Sequence, residues 1–309
     1  MLDCWAMSKF RAMPDGLAAR ALLASLCASA LLVCCSTASQ EGAVDGGPTK
    51  PATCRHDPGT GEVVALLSDC AADFSTGLLA AGRPGDGLLA NGLVRFTLRA
   101  GAEGHGLYGS TGGHLVDAVR VQGDHDSVDA LRELALAVDF HLLRPTTMEP
   151  FAEGEGRGLR VHGELVPLPT LQASLGKKKP DVDVVHEYLL RPNSAALEIR
   201  TRVTPRAGAK VSALLMADVM LWGGEVALYL PGHGDDGLPT VAQSPIMGVT
   251  GRRPGSGVVA SALAAAEGLS VVDASGILAL LWSNRKVPAE GVEYVRHLTV
   301  GGDVGTDLA

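Results

Sequence analysis

A chain of 309 residues with 46% hydrophobic and 19% charged side chains can bury a sizeable core and is too apolar to be disordered throughout. Its formal charge of −8 and the lack of a basic stripe argue against binding nucleic acid through phosphate neutralisation; the one lysine run, Lys177-Lys178-Lys179, reads as a solvated loop. Aromatics make up only 4%, and the 39 glycines cluster between apolar runs, which is the pattern of many turns between short strands.

The N-terminus carries Lys9, Arg11 and Arg20, then the uncharged apolar run "ALLASLCASALLVCC" from Ala21 to Cys35. A membrane-spanning helix needs roughly 20 apolar residues. This run is shorter and fits the hydrophobic region of an export signal. Its end, "LLVCC", resembles the lipobox of bacterial lipoproteins, which implies a cysteine linked to diacylglycerol. Cys35 places Leu32 three residues before it and is the expected lipidation site. Cys34, with Leu31 three residues before it, is the alternative. An ordinary secretion signal cleaved near Ala38 is the competing reading. Residues 1–34 are thus read as a lipoprotein-type signal peptide and 35–53 as a flexible tether. The implied location is the bacterial cell envelope, with a lipid anchor in the outer membrane or facing the periplasm. Cys54 and Cys70 then remain in the body as an even pair in an oxidising compartment, which predicts a disulfide. Closing so short a loop contributes about 3 kcal/mol in the chain-entropy account.

From Cys54 onward the chain reads as one domain of short strands. In "GLVRFTLRA", Val94, Phe96 and Leu98 alternate with Arg95, Thr97 and Arg99, which predicts a strand with one face in solvent. "DSVDALRELALAV" (Asp126 to Val138) has helix-forming residues after a cap at Asp126 or Ser127, and predicts a helix. "VVHEYLLRPNSAALEIRTRVTP" predicts a hairpin turning at Arg191–Ala195, with Leu197, Ile199, Thr201 and Val203 on one face. "VSALLMADVMLW", "EVALYL" and "GILALLWS" are continuous apolar runs that suit strands covered on both faces, with buried helix as the alternative that periodicity alone leaves open. "ASALAAAEG" (Ala260 to Gly268) predicts one or two helical turns ending at its glycine. "GVEYVRHLTVGG" alternates again, with Val292, Tyr294 and Leu298 on one face. The expected class is all-β: a large antiparallel β-sandwich with one or two short helices, over residues 54–309.

The segments "GRPGDGLLANGLVRFTLRA", "GSTGGHLVDA", "VHEYLLRPNSAALEIRTRVTP", "MLWGGEVALYLPGHG" and "VEYVRHLTVGGDV" occur in an order that resembles the N-terminal β-sandwich module of exported bacterial PHP-type metallohydrolase proteins. The hairpin also resembles strands of galactose-mutarotase-like supersandwiches. The first resemblance implies a module that precedes a metal-dependent catalytic domain. No His-x-His pair of the kind that domain uses occurs here. The chain is therefore expected to be a stand-alone or truncated form of the module.

Two stretches carry candidate ligand-loop residues. "STGGHLVDAVRVQGDHDS" (Ser110 to Ser127) holds His114, Asp117, Asp124, His125 and Asp126. Residues three apart on a strand point to opposite faces, so His114 and Asp117 would not converge on a metal. The stretch reads as a glycine turn, a strand, and a loop ending in a helix cap. "PGHGDDG" (Pro231 to Gly237) exposes His233 and Asp235 on a glycine-rich loop, a common place for binding. Gly-x-Ser-x-Gly, Walker and His-Glu-x-x-His patterns are absent from the sequence. No catalytic residue, metal or cofactor is assigned. The expected function is a non-catalytic binding or structural module of the envelope. Its partners would be the membrane, through the lipid, and a carbohydrate or an envelope protein. The alternatives are a carbohydrate-active epimerase or hydrolase, and the accessory module of a metallohydrolase.

Overall fold

The computed structural model describes residues 54–75, 80–101, 112–122, 125–126, 131–167, 178–209, 211, 214–222, 226–229, 241–253, 256–274, 277–285 and 287–301. These form sixteen strands: β1 (Val64–Leu67), β2 (Gly87–Ala90), β3 (Val94–Leu98), β4 (Leu115–Gln122), β5 (His125–Asp126), β6 (Leu131–Val138), β7 (His141–Glu153), β8 (Gly156–Pro167), β9 (Val182–Leu190), β10 (Ala196–Pro205), β11 (Leu214–Trp222), β12 (Val226–Tyr229), β13 (Val241–Arg253), β14 (Ser256–Ala274), β15 (Ile277–Arg285) and β16 (Val292–Gly301). They pair antiparallel in the order β1-β2-β3-β4-β6-β11-β15-β14-β16-β10-β9-β8-β7, with β5 beside β4, β13 beside β14 and β12 beside β13. The fold is all-β and sandwich-like. One apolar core joins Phe96, Leu98 and Leu134 to Leu159, Leu197 and Tyr294 from the other end of the strand order. The layers approach closely at Gly87, where a Cβ would lie 2.6 Å from Leu159 Cδ1.

Both helix expectations are overturned. Leu131–Val138 is β6 and Ala260–Gly268 lies inside β14. Among the described residues the helical content is a single 3₁₀ turn, Ala71–Asp73. The helix-forming residues of β6 pair with β11 along nearly their whole length, from Val138↔Met216 to Leu131↔Trp222. In β6, Arg132 is exposed while the residues on both faces from Glu133 to Val138 are buried. A strand covered on both faces loses its alternation, and long-range pairing overrides local preference. The strand ends in a tight hairpin where Asp139 and Phe140 both take positive φ, 46° and 64°. Such turns favour Asn, Asp or Gly, so Phe140 is the unusual occupant. Asp139 clamps the turn: its N–H donates to Leu215 O at 2.8 Å and its Oδ1 accepts Leu215 N–H at 3.0 Å.

The solvent face expected for β3 is also overturned. Arg95, Thr97 and Arg99 are 2%, 1% and 3% exposed. The described segments 54–75 and 80–86 bring groups over them. Arg95 donates to Asp73 O and Asp57 Oδ1, and Arg99 donates to Ala81 O and pairs with Asp86. The hairpin of β9 and β10 stands as expected, with Leu197, Ile199, Thr201 and Val203 all buried. Its outward register aligns Glu149, Arg160, Glu187 and Arg200 across four strands as alternating charges. Phe151 lies over Gly158, where a Cβ would meet its ring at 2.4 Å, and Arg160 sits 4.8 Å from the ring centroid.

Asn91, in the turn between β2 and β3, ties two hairpin ends together. Its Oδ1 accepts Leu93 and Val94 N–H, and its Nδ2 donates to Arg191 O and Ser194 O at 2.9 and 2.7 Å. Asn91→Ala strands the buried Val94 amide and removes three part-buried hydrogen bonds, and is expected to lower stability by about 1–3 kcal/mol in urea unfolding.

Candidate functional site

The polar residues that the strands turn inward lie between the two layers. They were missed as a site because each stands on an otherwise apolar face. Period-two spacing is the signal that could have found them: Arg296 between Tyr294 and Leu298, His186 between Val184 and Tyr188, and Thr201 between Ile199 and Val203. Asp218 interrupts the apolar run of β11 in the same way.

Arg296 grips Asp218 with two hydrogen bonds, Nε to Oδ2 at 2.6 Å and Nη2 to Oδ1 at 2.7 Å. Both side chains are 2% exposed, so each charge depends on the other. The third guanidinium contact, Nη1 to Thr201 Oγ1, is 2.6 Å. Thr201 Oγ1 lies 2.7 Å from His186 Nδ1. The Thr201 hydroxyl thus links the guanidinium to the imidazole. Burial pushes His186 well below the usual histidine range, and the neighbouring Arg296 guanidinium adds to that shift. His186 meets Tyr188 edge to face at 4.6 Å between ring centroids. The Tyr188 hydroxyl donates to Gly113 O at 3.0 Å, and burial raises its pKa.

That last bond leads to the stretch read as a glycine turn and strand. The turn and strand are present, but Asp126 is not a helix cap: His125–Asp126 pair with β4 as β5, and Ser127 lies outside the described residues. Gly112 is required because a Cβ there would meet Gly101 O at 2.1 Å, and Gly113 takes φ 88°. The backbone curl turns His114 inward, to 6% exposure, with Nε2 3.1 Å from Glu133 Oε1 on β6. Asp117 is buried as well. Its two oxygens accept Ala81 N–H at 2.9 Å and Gly82 N–H at 2.8 Å. So His114 meets a carboxylate, but that of Glu133, while Asp117 pins the covering segment. His233 and Asp235 lie outside the described residues, as do Cys34 and Cys35.

A second polar group holds the N-terminal cover. Asp73 Oδ1 accepts His56 N–H at 2.6 Å, and Oδ2 contacts His56 Nδ1 at 2.7 Å and the Ser68 hydroxyl. Burial works to raise the Asp73 pKa, but the hydrogen bonds from Ser68 and His56 outweigh it and hold the carboxyl below its usual range. Burial beside these groups raises Asp86 instead, against the pull of the Ala100 amide and the Arg99 charge. Cys54 and Cys70 form the expected disulfide, with Cα atoms 5.8 Å apart.

Chemically, the His114–Glu133 contact brings a basic and an acidic side chain to 3.1 Å without a hydrogen bond to Glu133 Oε1, whereas the Arg296 group holds charges in place. Among the described residues no group of three or more His, Cys, Asp or Glu side chains is placed to hold a metal ion, and no helix is long and apolar enough to cross a membrane. No protein-family model and no curated protein matches the chain.

Two measurements check this description. Arg296→Met leaves Asp218 buried without its partner and is expected to cost about 3–5 kcal/mol, while adding Asp218→Leu restores most of the loss in chemical denaturation. His186 stays neutral when folded, whereas the unfolded chain takes up a proton at its ordinary pKa of 6.5. Stability from this group is complete above that value and declines as pH falls below it toward the depressed folded pKa. Denaturation midpoints between pH 7 and 5 should therefore fall less steeply in His186→Gln than in the parent, comparing proteins that differ at this one site.

Proposed function

We propose that the chain is an exported protein of the cell envelope, anchored by a lipid on Cys35 (or Cys34), whose body acts as a non-catalytic binding or structural module. The observation that carries the second half is the fate of the acid–base groups that the strands turn inward. Among the described residues, His114, Glu133, His186 and Asp218 are all sealed beneath the surface and engaged with one another or with Thr201 and Arg296. A catalytic group must reach its substrate within hydrogen-bond distance. The export reading rests on the charged start, the short apolar run and the cysteines that end it. The Cys54–Cys70 bond agrees with an oxidising compartment. Metabolic labelling with a radioactive fatty acid is expected to mark the chain and to place it in the membrane fraction. The combined change Cys34→Ser and Cys35→Ser should abolish both. Unchanged labelling and partition in that variant would rule out the anchor.

One observation favours a second reading, a carbohydrate-active epimerase or hydrolase: His114 stands 3.1 Å from Glu133, an acid–base pair by chemistry. Exchange between sugar anomers, followed by magnetisation transfer across a panel of monosaccharides, separates the two. The module reading expects no acceleration over buffer. Acceleration that vanishes in Glu133→Gln would establish the enzyme. The accessory-module reading differs only in its partner, a metallohydrolase encoded elsewhere.

A further inference from the structure

The cover over β3 is held mainly by polar contacts. Of its first twenty-two described residues, 54–75, only Cys70 and Phe74 are buried hydrophobics, and Val63 and Ala65 are partly buried against the core. Its leading end, residues 54–62, touches β3 through Asp57, which takes a 2.8 Å hydrogen bond from Arg95 Nη2. It touches the 3₁₀ turn through His56, which is bound to Asp73. Asp57 is 60% exposed and the His56 side chain 47%, so solvent competes for both contacts. What makes them persist is covalent: Cys54 is tied back to Cys70, sixteen positions on, which fixes His56 and Asp57 above β3. The two ends of that bond differ. Cys54 lies in the exposed leading end, and Cys70 is buried.

We propose that Cys54–Cys70 is a redox-operated latch: a dithiol reductant opens it, residues 54–62 lift from β3, and the Arg95 guanidinium becomes accessible to an anionic group. The chemistry is thiol–disulfide exchange. A thiolate of the reductant attacks Cys54 Sγ, the more open end. The S–S bond breaks, and Cys70 leaves as a thiolate that takes a proton. The reductant's second thiol then displaces Cys54 and closes its own disulfide. Two electrons and two protons pass from the dithiol to the protein. Arg95 keeps its bond to Asp73 O, while Asp57 departs with the released end. The antiparallel ladder of β1 with β2, Val64↔Ala90 through Leu67↔Gly87, does not depend on the bond, so the opening stays local.

The test compares the full folded protein with and without dithiothreitol, alongside Cys54→Ser combined with Cys70→Ser. Hydrogen exchange by mass spectrometry and phenylglyoxal labelling are the readouts. Reduction, verified by two newly alkylated thiols, is expected to speed exchange in 55–62 about tenfold or more while residues 182–205 keep their protection. Arg95 should gain phenylglyoxal labelling, and the double serine variant should show both changes without reductant. Three outcomes each overturn the latch. The reduced protein could keep its exchange and leave Arg95 unlabelled. Protection in 182–205 could collapse together with that in 55–62, making the bond a staple of the whole fold. The bond could also resist reduction in the native protein.

Discussion

The Arg296–Asp218 pair is the contact on which the interior depends. β11 and β16 are not neighbours, since β15 and β14 stand between them in the sheet. Their side chains nonetheless meet with two short hydrogen bonds inside the sandwich. A buried ion pair is weak grounds for stability, because desolvation offsets most of the attraction. What it imposes is register. A one-residue slip of β11 would turn Asp218 to the opposite face and leave Arg296 buried with its charge uncompensated. Thr201 on β10 and His186 on β9 extend the constraint to two further strands. Tyr188 carries it to Gly113, the point where the chain enters β4. Six positions from separate parts of the sequence are thereby held in one arrangement.

The two sides of the molecule use charge differently. On the outward face of β7–β10, carboxylates and guanidiniums alternate across the strands and remain in partial contact with water. Each such pair contributes little alone. Together they keep a broad β-surface charged rather than adhesive. On β3 the charged residues are roofed over. Arg95 and Arg99 become interior groups because segments 54–75 and 80–86 bring the Asp73 and Ala81 carbonyls and the Asp57 and Asp86 carboxylates to them. That roof is held largely by polar contacts and a disulfide.

Strands with one dry face were legible in the sequence. The hairpin of β9 and β10 and the last strand β16 follow their alternation, and the continuous apolar run of β11 is indeed a covered strand. The failures share one cause. In β6 and β14, Ala, Leu and Glu favour a helix locally, but pairing with distant strands decides otherwise. In β3 alternation was visible, but the second covering layer was not. For the site, His114 and Asp117 were picked out as polar residues in a glycine-rich stretch. Glu133, which meets His114, was hidden inside an expected helix. Arg296 and His186 were passed over as members of alternating strands.

By itself the sequence determined the all-β class, the hairpin register and the cysteine pair of the body, because period-two burial and cysteine economy are local signals. Only the tertiary structure decided which polar residues are interior. Whether a histidine, arginine or carboxylate faces water or a partner depends on what packs over its strand. For Arg95 that is a segment some forty residues upstream. For Arg296 it is a strand nearly eighty residues away.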